Sequence, residues 1–270
     1  MTTRPSTALV SYQSSSYQSI ETDGPQPRSS YPNLSLVMDT PTIFNVDLPD
    51  CPNPRGREVT DPSTGEMVFI PHCWIGEDGE ERHNRCGKNS CEVCSVTNAR
   101  RIAGAIRLAE PPWSFSLTLV GGSAAEITKR VSSFVHYARR DIPSVQVAWA
   151  AEENSRHTGV HVHGFLHAGD HDHEIGGQTF DRAVARARVG RRWQLGRVPK
   201  ESGSEYLGYP FKSLVLQEQR QIFLHLNGSP NRHQLVHSSN HFWRDGVGGP
   251  TLTRREAERI AYEHSRGFPR

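Results

Sequence analysis

Apolar and polar positions change period several times along the chain, and each change marks an element. In Trp113-Ser-Phe-Ser-Leu-Thr-Leu-Val120 large and small residues alternate in steps of two, the signature of a half-buried strand, and Gly121-Gly122 ends it. Ser123-x-x-Glu126 then supplies a capping box ahead of Ile127, Val131, Phe134 and Val135, whose spacing predicts an amphipathic helix. Val145 to Ala151 and Val160 to His167 read as two further strands, and the polar run Asn154 to Gly159 between them predicts a hairpin. Helices are expected from near Glu92 through Arg101 and Arg107, from about Thr179 to Trp193, and from Pro210 to about Leu226, where proline in the first turn removes no needed donor. Thr253-x-x-Glu256 caps a last short helix, and there is no internal repeat.

Residues 1–50 are rich in Ser, Pro, Gln and Tyr without apolar periodicity, so a disordered tail is expected there. The remainder divides into a cysteine-rich segment (51–108), a catalytic core (109–226) and a C-terminal extension with a short helix (227–270). The N-terminus carries no basic-then-apolar leader and no run approaches the ~18 apolar residues of a membrane span, so a cytoplasmic protein without a membrane partner is expected.

Charge changes the picture only locally. Thirty-one Lys+Arg against 29 Asp+Glu give a formal +2, which argues neither for nor against a polyanionic partner. Between 181 and 200, however, Asp181 is the only acid beside Arg182, Arg186, Arg188, Arg191, Arg192, Arg197 and Lys200. That excess suits phosphate contacts, the alternative being a solvated helical face.

Five cysteines lie between 51 and 94, four of them within 73 to 94, which in a reducing compartment favours metal over disulfides. Cys73-x12-Cys86-x4-Cys91-x2-Cys94 offers four thiolates closed by a Cys-x2-Cys half-site, a set suited to structural Zn²⁺, with His83 able to replace Cys73. His161 and His163, two apart in a predicted strand, project from one face and can grip one ion. The hairpin returns an acid toward them. Only one of Glu152 and Glu153 can face the pair, and Glu153 is expected; with it, two imidazoles and a carboxylate suit Mn²⁺ or Mg²⁺. Downstream, Tyr209 precedes Lys212 by three residues, so a phenol nucleophile and an ammonium can face the same site, with Tyr206 in reserve as nucleophile.

The order of these motifs resembles that of HUH-superfamily rolling-circle replication initiators from bacterial plasmids and single-stranded DNA phages. Phe115-Ser-Leu-Thr-Leu119 is similar to their first motif, Glu153 with His161-Val162-His163 to their second, and Gly208-Tyr209-Pro210-Phe211-Lys212 to their third. The cysteine cluster also resembles one that often precedes the first motif. The likeness covers residues 73 to about 215. It implies an α+β fold in which helices pack on a central antiparallel sheet, the histidines on a middle strand and the tyrosine on a helix across a cleft. It further implies a nickase of single-stranded or extruded origin DNA in a bacterial host, leaving a 5′-phosphotyrosyl bond and a free 3′-OH for the host replication machinery. An HUH transposase would share this chemistry; a non-catalytic zinc-finger DNA-binding regulator would need only the cysteines and arginines.

Overall fold

The computed structural model describes residues 51–265 except 76–78, 80, 120–121, 154–158, 190–191, 200–203, 216 and 228–234. The tail expected at 1–50 and most of the turn expected at 154–159 therefore fall outside the described residues. The chain begins with two antiparallel hairpins, β1 (Gly56–Thr60) with β2 (Met67–Pro71) and β3 (Cys73–Ile75) with β4 (Glu81–His83). Then follow α1 (Glu92–Ala109), β5 (Trp113–Leu119), α2 (Ala124–Asp141), β6 (Gln146–Glu153), β7 (Val160–His167), α3 (Gly177–Ala187) and β8 (Arg192–Arg197). The chain continues through α4 (Ser204–Gly208), a 3-10 turn (Tyr209–Phe211), α5 (Lys212–Val215), α6 (Gln217–Leu226), β9 (His237–Ser238) and α7 (Arg254–Ser265). The fold is α+β: five antiparallel strands in the order β8-β5-β7-β6-β9, with helices on both faces.

Strand alternation sorts large and small side chains onto opposite faces of this sheet. One face carries Phe115, Leu117, Val147, Trp149, Val160, Val162 and Leu166 and packs on Ile127, Val131 and Phe134 of α2 and Phe180 of α3. The rings of Phe115, Phe134 and Phe180 meet at centroid distances of 4.8 to 5.9 Å. Gly164 makes room for this cluster, since a Cβ there would sit 2.6 Å from both the Phe115 ring and the Ala148 carbonyl oxygen. The opposite face presents Ala148 and Ala150, small enough for Leu207, Phe211 and Leu214 to pack closely together with α1. Each fully buried side chain of this size contributes roughly 1.5–3 kcal/mol by leaving water.

The local signals act where they stand. Ser123 and Glu126 form the reciprocal capping box of α2, and Thr253 and Glu256 repeat it at α7. Two elements differ from expectation. The helix expected to Trp193 ends at Ala187, where Arg188 turns left-handed (φ 52°), and Arg192 and Trp193 belong to β8. The single helix expected from Pro210 is broken into a 3-10 turn, α5 and α6; Arg220 donates to the Leu214 carbonyl (2.9 Å) beside the break between α5 and α6.

The boundaries drawn at 108/109 and 226/227 do not separate packing units. Ala99, Ile102, Ala105 and Ile106 of α1 share one core with Phe242, Trp243 and Ala257. Asn227, just past α6, completes the sheet: its side chain accepts from the Ala151 N–H (2.8 Å) and donates to the Ala151 carbonyl (2.6 Å), standing in for a strand residue. No described helix is long and apolar enough to cross a membrane.

Two histidines are built into this core. His167 donates to the Phe242 carbonyl (3.0 Å), and burial together with the nearby Arg244 charge pulls it down to about 4; His237 stacks on Trp149 (4.1 Å between centroids) and burial pulls it to about 4. A depressed histidine resists protonation when folded and accepts it when unfolded, so its stabilisation is complete above 6.5 and is lost as pH falls toward 4. Between pH 7 and 5 the melting temperature should therefore fall, with about two protons taken up on unfolding at pH 5. The double variant His167→Gln/His237→Gln should flatten that slope; an unchanged slope in melts across pH would refute the assignment.

Candidate active site and cysteine cluster

His161 and His163 stand on β7, the middle strand of the sheet, on the face of small residues. Their neighbours there are Thr118 and Ser116 on β5 and Glu152 and Ala150 on β6, fixed by the register Thr118↔His161↔Glu152 and Ser116↔His163↔Ala150. The acid at the site is Glu152, which corrects the expectation of Glu153. Glu153 pairs with Val160 and lies on the opposite face, because the register places even-numbered β6 residues with odd-numbered β7 residues. The pattern held this signal: Val147 and Trp149 share the apolar face with Val160 and Val162, which leaves Glu152 on the histidine face.

Glu152 is buried (4% exposed), and a charge there requires partners. Its Oε1 accepts from His163 Nε2 (3.0 Å) and pairs with Lys212 Nζ (3.0 Å), and its Oε2 accepts from the Ser213 hydroxyl (3.1 Å). Burial alone raises its pKa, but the hydrogen bond and charge of His163 and the Lys212 ammonium outweigh it and bring the carboxyl down to about 2. Burial, joined by the His163 and Lys212 charges against the pull of Glu152, lowers His161 and favours a neutral imidazole with a lone pair to give. Burial also works against the charged form of Lys212, yet Glu152 and Tyr209 raise it above the ordinary lysine value. Lys212 is thus a fixed cation rather than a base.

Tyr209 opens the 3-10 turn, the place its following proline favours. Its ring meets His163 edge-on at 5.2 Å, and Lys212 Nζ lies 3.8 Å from its centroid. Tyr206 points elsewhere: its hydroxyl bonds Ser114 Oγ (2.8 Å) and its ring lies near Phe165 (6.5 Å). The structure thus brings together His161, His163, Lys212 and Tyr209 with Glu152, and sets Tyr206 and Glu153 apart. Ser213, absent from the motifs, joins them by following Lys212.

The expected basic surface is divided. Arg182 and Arg186 pair with Asp141 at 3.0 and 3.4 Å, bracing α3 on α2. Arg188 ends α3, Arg192 pairs in register with Thr118 on β8, and Arg191 lies outside the described residues.

The cysteine cluster also needs one correction. Cys51, Cys86, Cys91 and Cys94 have their sulfurs within 4.8 Å of one another, the one such group of metal-ligating side chains among the described residues. The sulfur pairs at 3.4, 3.6 and 3.7 Å approach the edge of about 3.8 Å that tetrahedral zinc with ~2.3 Å bonds requires. Four thiols so placed can hold a metal such as zinc. Cys73 is not among them: it is exposed on β3 and bonds His83 Nδ1 across the hairpin (3.1 Å), so neither completes the set. Cys51, 22 residues earlier in sequence, takes the place because its sulfur lies against Cys94 and the Cys86 amide. Cys91 is the N-cap of α1 and Cys94 lies in its first turn. Hydrogen bonds from the Cys86 and Asn53 amides overcome burial and lower Cys51 to about 7, while burial pushes Cys86 and Cys94 up.

This geometry predicts about one zinc per chain by metal analysis of purified protein. Cys51→Ser should release it and lower the melting temperature, whereas Cys73→Ser should leave both unchanged. Retention of zinc by Cys51→Ser with loss in Cys73→Ser would reverse the ligand assignment. No family model, curated protein or solved structure matches the chain.

Proposed function

We propose that the protein is a DNA nickase of the HUH type, acting on single-stranded or extruded origin DNA to initiate rolling-circle replication. What supports the reading is one convergence: Tyr209 and Lys212, 46 and 49 residues beyond His163, pack against His163 and Glu152 at 5.2 and 3.0 Å. A helix-borne phenol, a fixed ammonium and two strand-borne imidazoles on one sheet face are the parts that tyrosine transesterification needs.

His161, His163 and Glu152 would hold a divalent cation once the ion displaces the hydrogen bond that His163 Nε2 gives to Glu152 Oε1, since two imidazoles and a carboxylate leave positions open for oxygen ligands of Mn²⁺ or Mg²⁺. Such an ion would polarise the scissile phosphate. In the step itself Tyr209 Oη gives its proton to solvent water and attacks phosphorus in line, the phosphorus–O3′ bond breaks, and the departing O3′ takes up a proton from water. The products are a 5′-phosphotyrosyl bond and a 3′-OH available to a polymerase or for resealing. Lys212 stabilises the phenolate and the phosphate charge, its ammonium kept protonated by Glu152. Tyr206, held by Ser114, keeps the substrate face packed beside Phe165. The four-cysteine set would carry Zn²⁺ that stabilises the start of α1 and performs no chemistry, because four protein ligands leave no open position.

The test is incubation of the full chain with Mn²⁺ and single-stranded origin DNA, followed by denaturation and mapping of the covalent adduct. The adduct should sit on Tyr209, vanish in Tyr209→Phe and in His161→Ala/His163→Ala, and form about 10²–10³-fold more slowly in Lys212→Ala. An adduct that persists in Tyr209→Phe and vanishes in Tyr206→Phe would overturn the nucleophile. DNA binding without any adduct would leave the zinc-finger regulator as the better reading.

A further inference from the structure

We infer that Ser213 and Gln219 form a positioning pair that sets the orientation of Glu152 as a cation ligand. The inference rests on the reading above in which Glu152, His161 and His163 hold a divalent cation. Glu152 Oε1 already receives His163 and Lys212, so the rotation of the carboxylate about its last bond is decided by what holds Oε2. That group is the Ser213 hydroxyl, 3% exposed and 3.1 Å away.

The same hydroxyl lies 2.9 Å from the side-chain amide of Gln219, with Oε1 on the near side. A serine has one proton, and it cannot be given to two acceptors. The buried, ionised carboxylate has the stronger claim, because it accepts only and its charge shortens and strengthens the bond. Gln219 then serves Ser213 by a half-turn of its amide that presents the NH2, making a directed chain from Gln219 on α6 to Ser213 on α5 to Glu152 on β6. Such outer partners fix the angle at which a carboxylate meets its ion, and losing one typically weakens metal binding by about 10–100-fold. Glu152 stands at the sheet end of that chain, and the tyrosine segment leads directly into α5, so one hydrogen-bond path ties ligand orientation to the element that carries the nucleophile.

The experiment titrates Mn²⁺ into the full chain and reads the free ion by electron paramagnetic resonance, with melting temperature of the cation-free protein recorded alongside. Ser213→Ala should raise the Mn²⁺ Kd by about 10–100-fold. Because Ser213 is buried and its removal disturbs packing, Gln219→Glu is the decisive variant, since Gln219 is exposed and its change leaves the side chains packed around Ser213 in place. A glutamate there accepts only, competes for the Ser213 proton and turns it from Glu152, so the Kd should rise several-fold. Its added negative charge alone would tighten cation binding, so a weaker Kd reports the direction of the hydrogen bond. Wild-type affinity in both variants, or tighter binding in Gln219→Glu, would overturn the pair. If the wild type shows no Mn²⁺ binding that His161→Ala/His163→Ala removes, the underlying reading fails and this inference with it; if the wild type binds and the variants do not differ, only the pair fails.

Discussion

A carboxylate taken out of water at the end of β6 governs the arrangement around it. Stripping an ionised carboxyl of solvent costs several kcal/mol unless charges and donors replace the water. Glu152 obtains those replacements from two directions: an imidazole on the adjacent strand, and an ammonium and a hydroxyl on α5. The register of the β6–β7 pair and the docking of the tyrosine segment are therefore one problem. A slip of a single residue would turn Glu152 into the apolar face that holds Val147, Trp149 and Val162, and would leave Lys212 in a half-buried place without its counter-charge.

The uneven faces of the sheet make that docking possible. Phenylalanines fill the side toward α2 and α3, whereas alanines at 148 and 150 let the 3-10 turn and α5 lie close on the other side. Close approach brings the Tyr209 ring to the edge of His163 and keeps the Lys212 ammonium between phenol and carboxylate. The α1 helix packs on that face through Ala99, Ile102, Ala105 and Ile106 and starts from the cysteine cluster, with Cys91 as its N-cap and Cys94 in its first turn.

Much of this was legible in the sequence because it rests on period and caps. The alternation at 113–119, both capping boxes, the His-x-His spacing and proline after Tyr209 act within a few residues and survive folding unchanged. The misplaced parts depend on relations between distant segments. Glu152 and Glu153 are adjacent, and only the register across β7 separates them, although matching Val147 and Trp149 with Val160 and Val162 would have given the parity. Cys51 replaces Cys73 because β3 pairs with β4 and commits Cys73 to His83, a pairing that cysteine spacing does not encode. The end of α3 at Arg188 needed a left-handed arginine, although Gly190 two residues on is a stop signal short of Trp193. Ser213 carries no motif of its own and is informative only once Glu152 is known to be buried beside it.

Asn227 has a consequence beyond its two bonds to Ala151. The outer side of β6 is closed in three steps: Ser239 takes the backbone of Val147, β9 takes Trp149, and the Asn227 amide takes Ala151. A two-residue strand could not do this alone, and an open edge beside so apolar a strand would be a template for another chain. By closing this side of β6 with a side chain instead of a longer strand, the fold leaves the Ala151 backbone no free groups for another chain to pair with, and the same asparagine that ends α6 ends the sheet there.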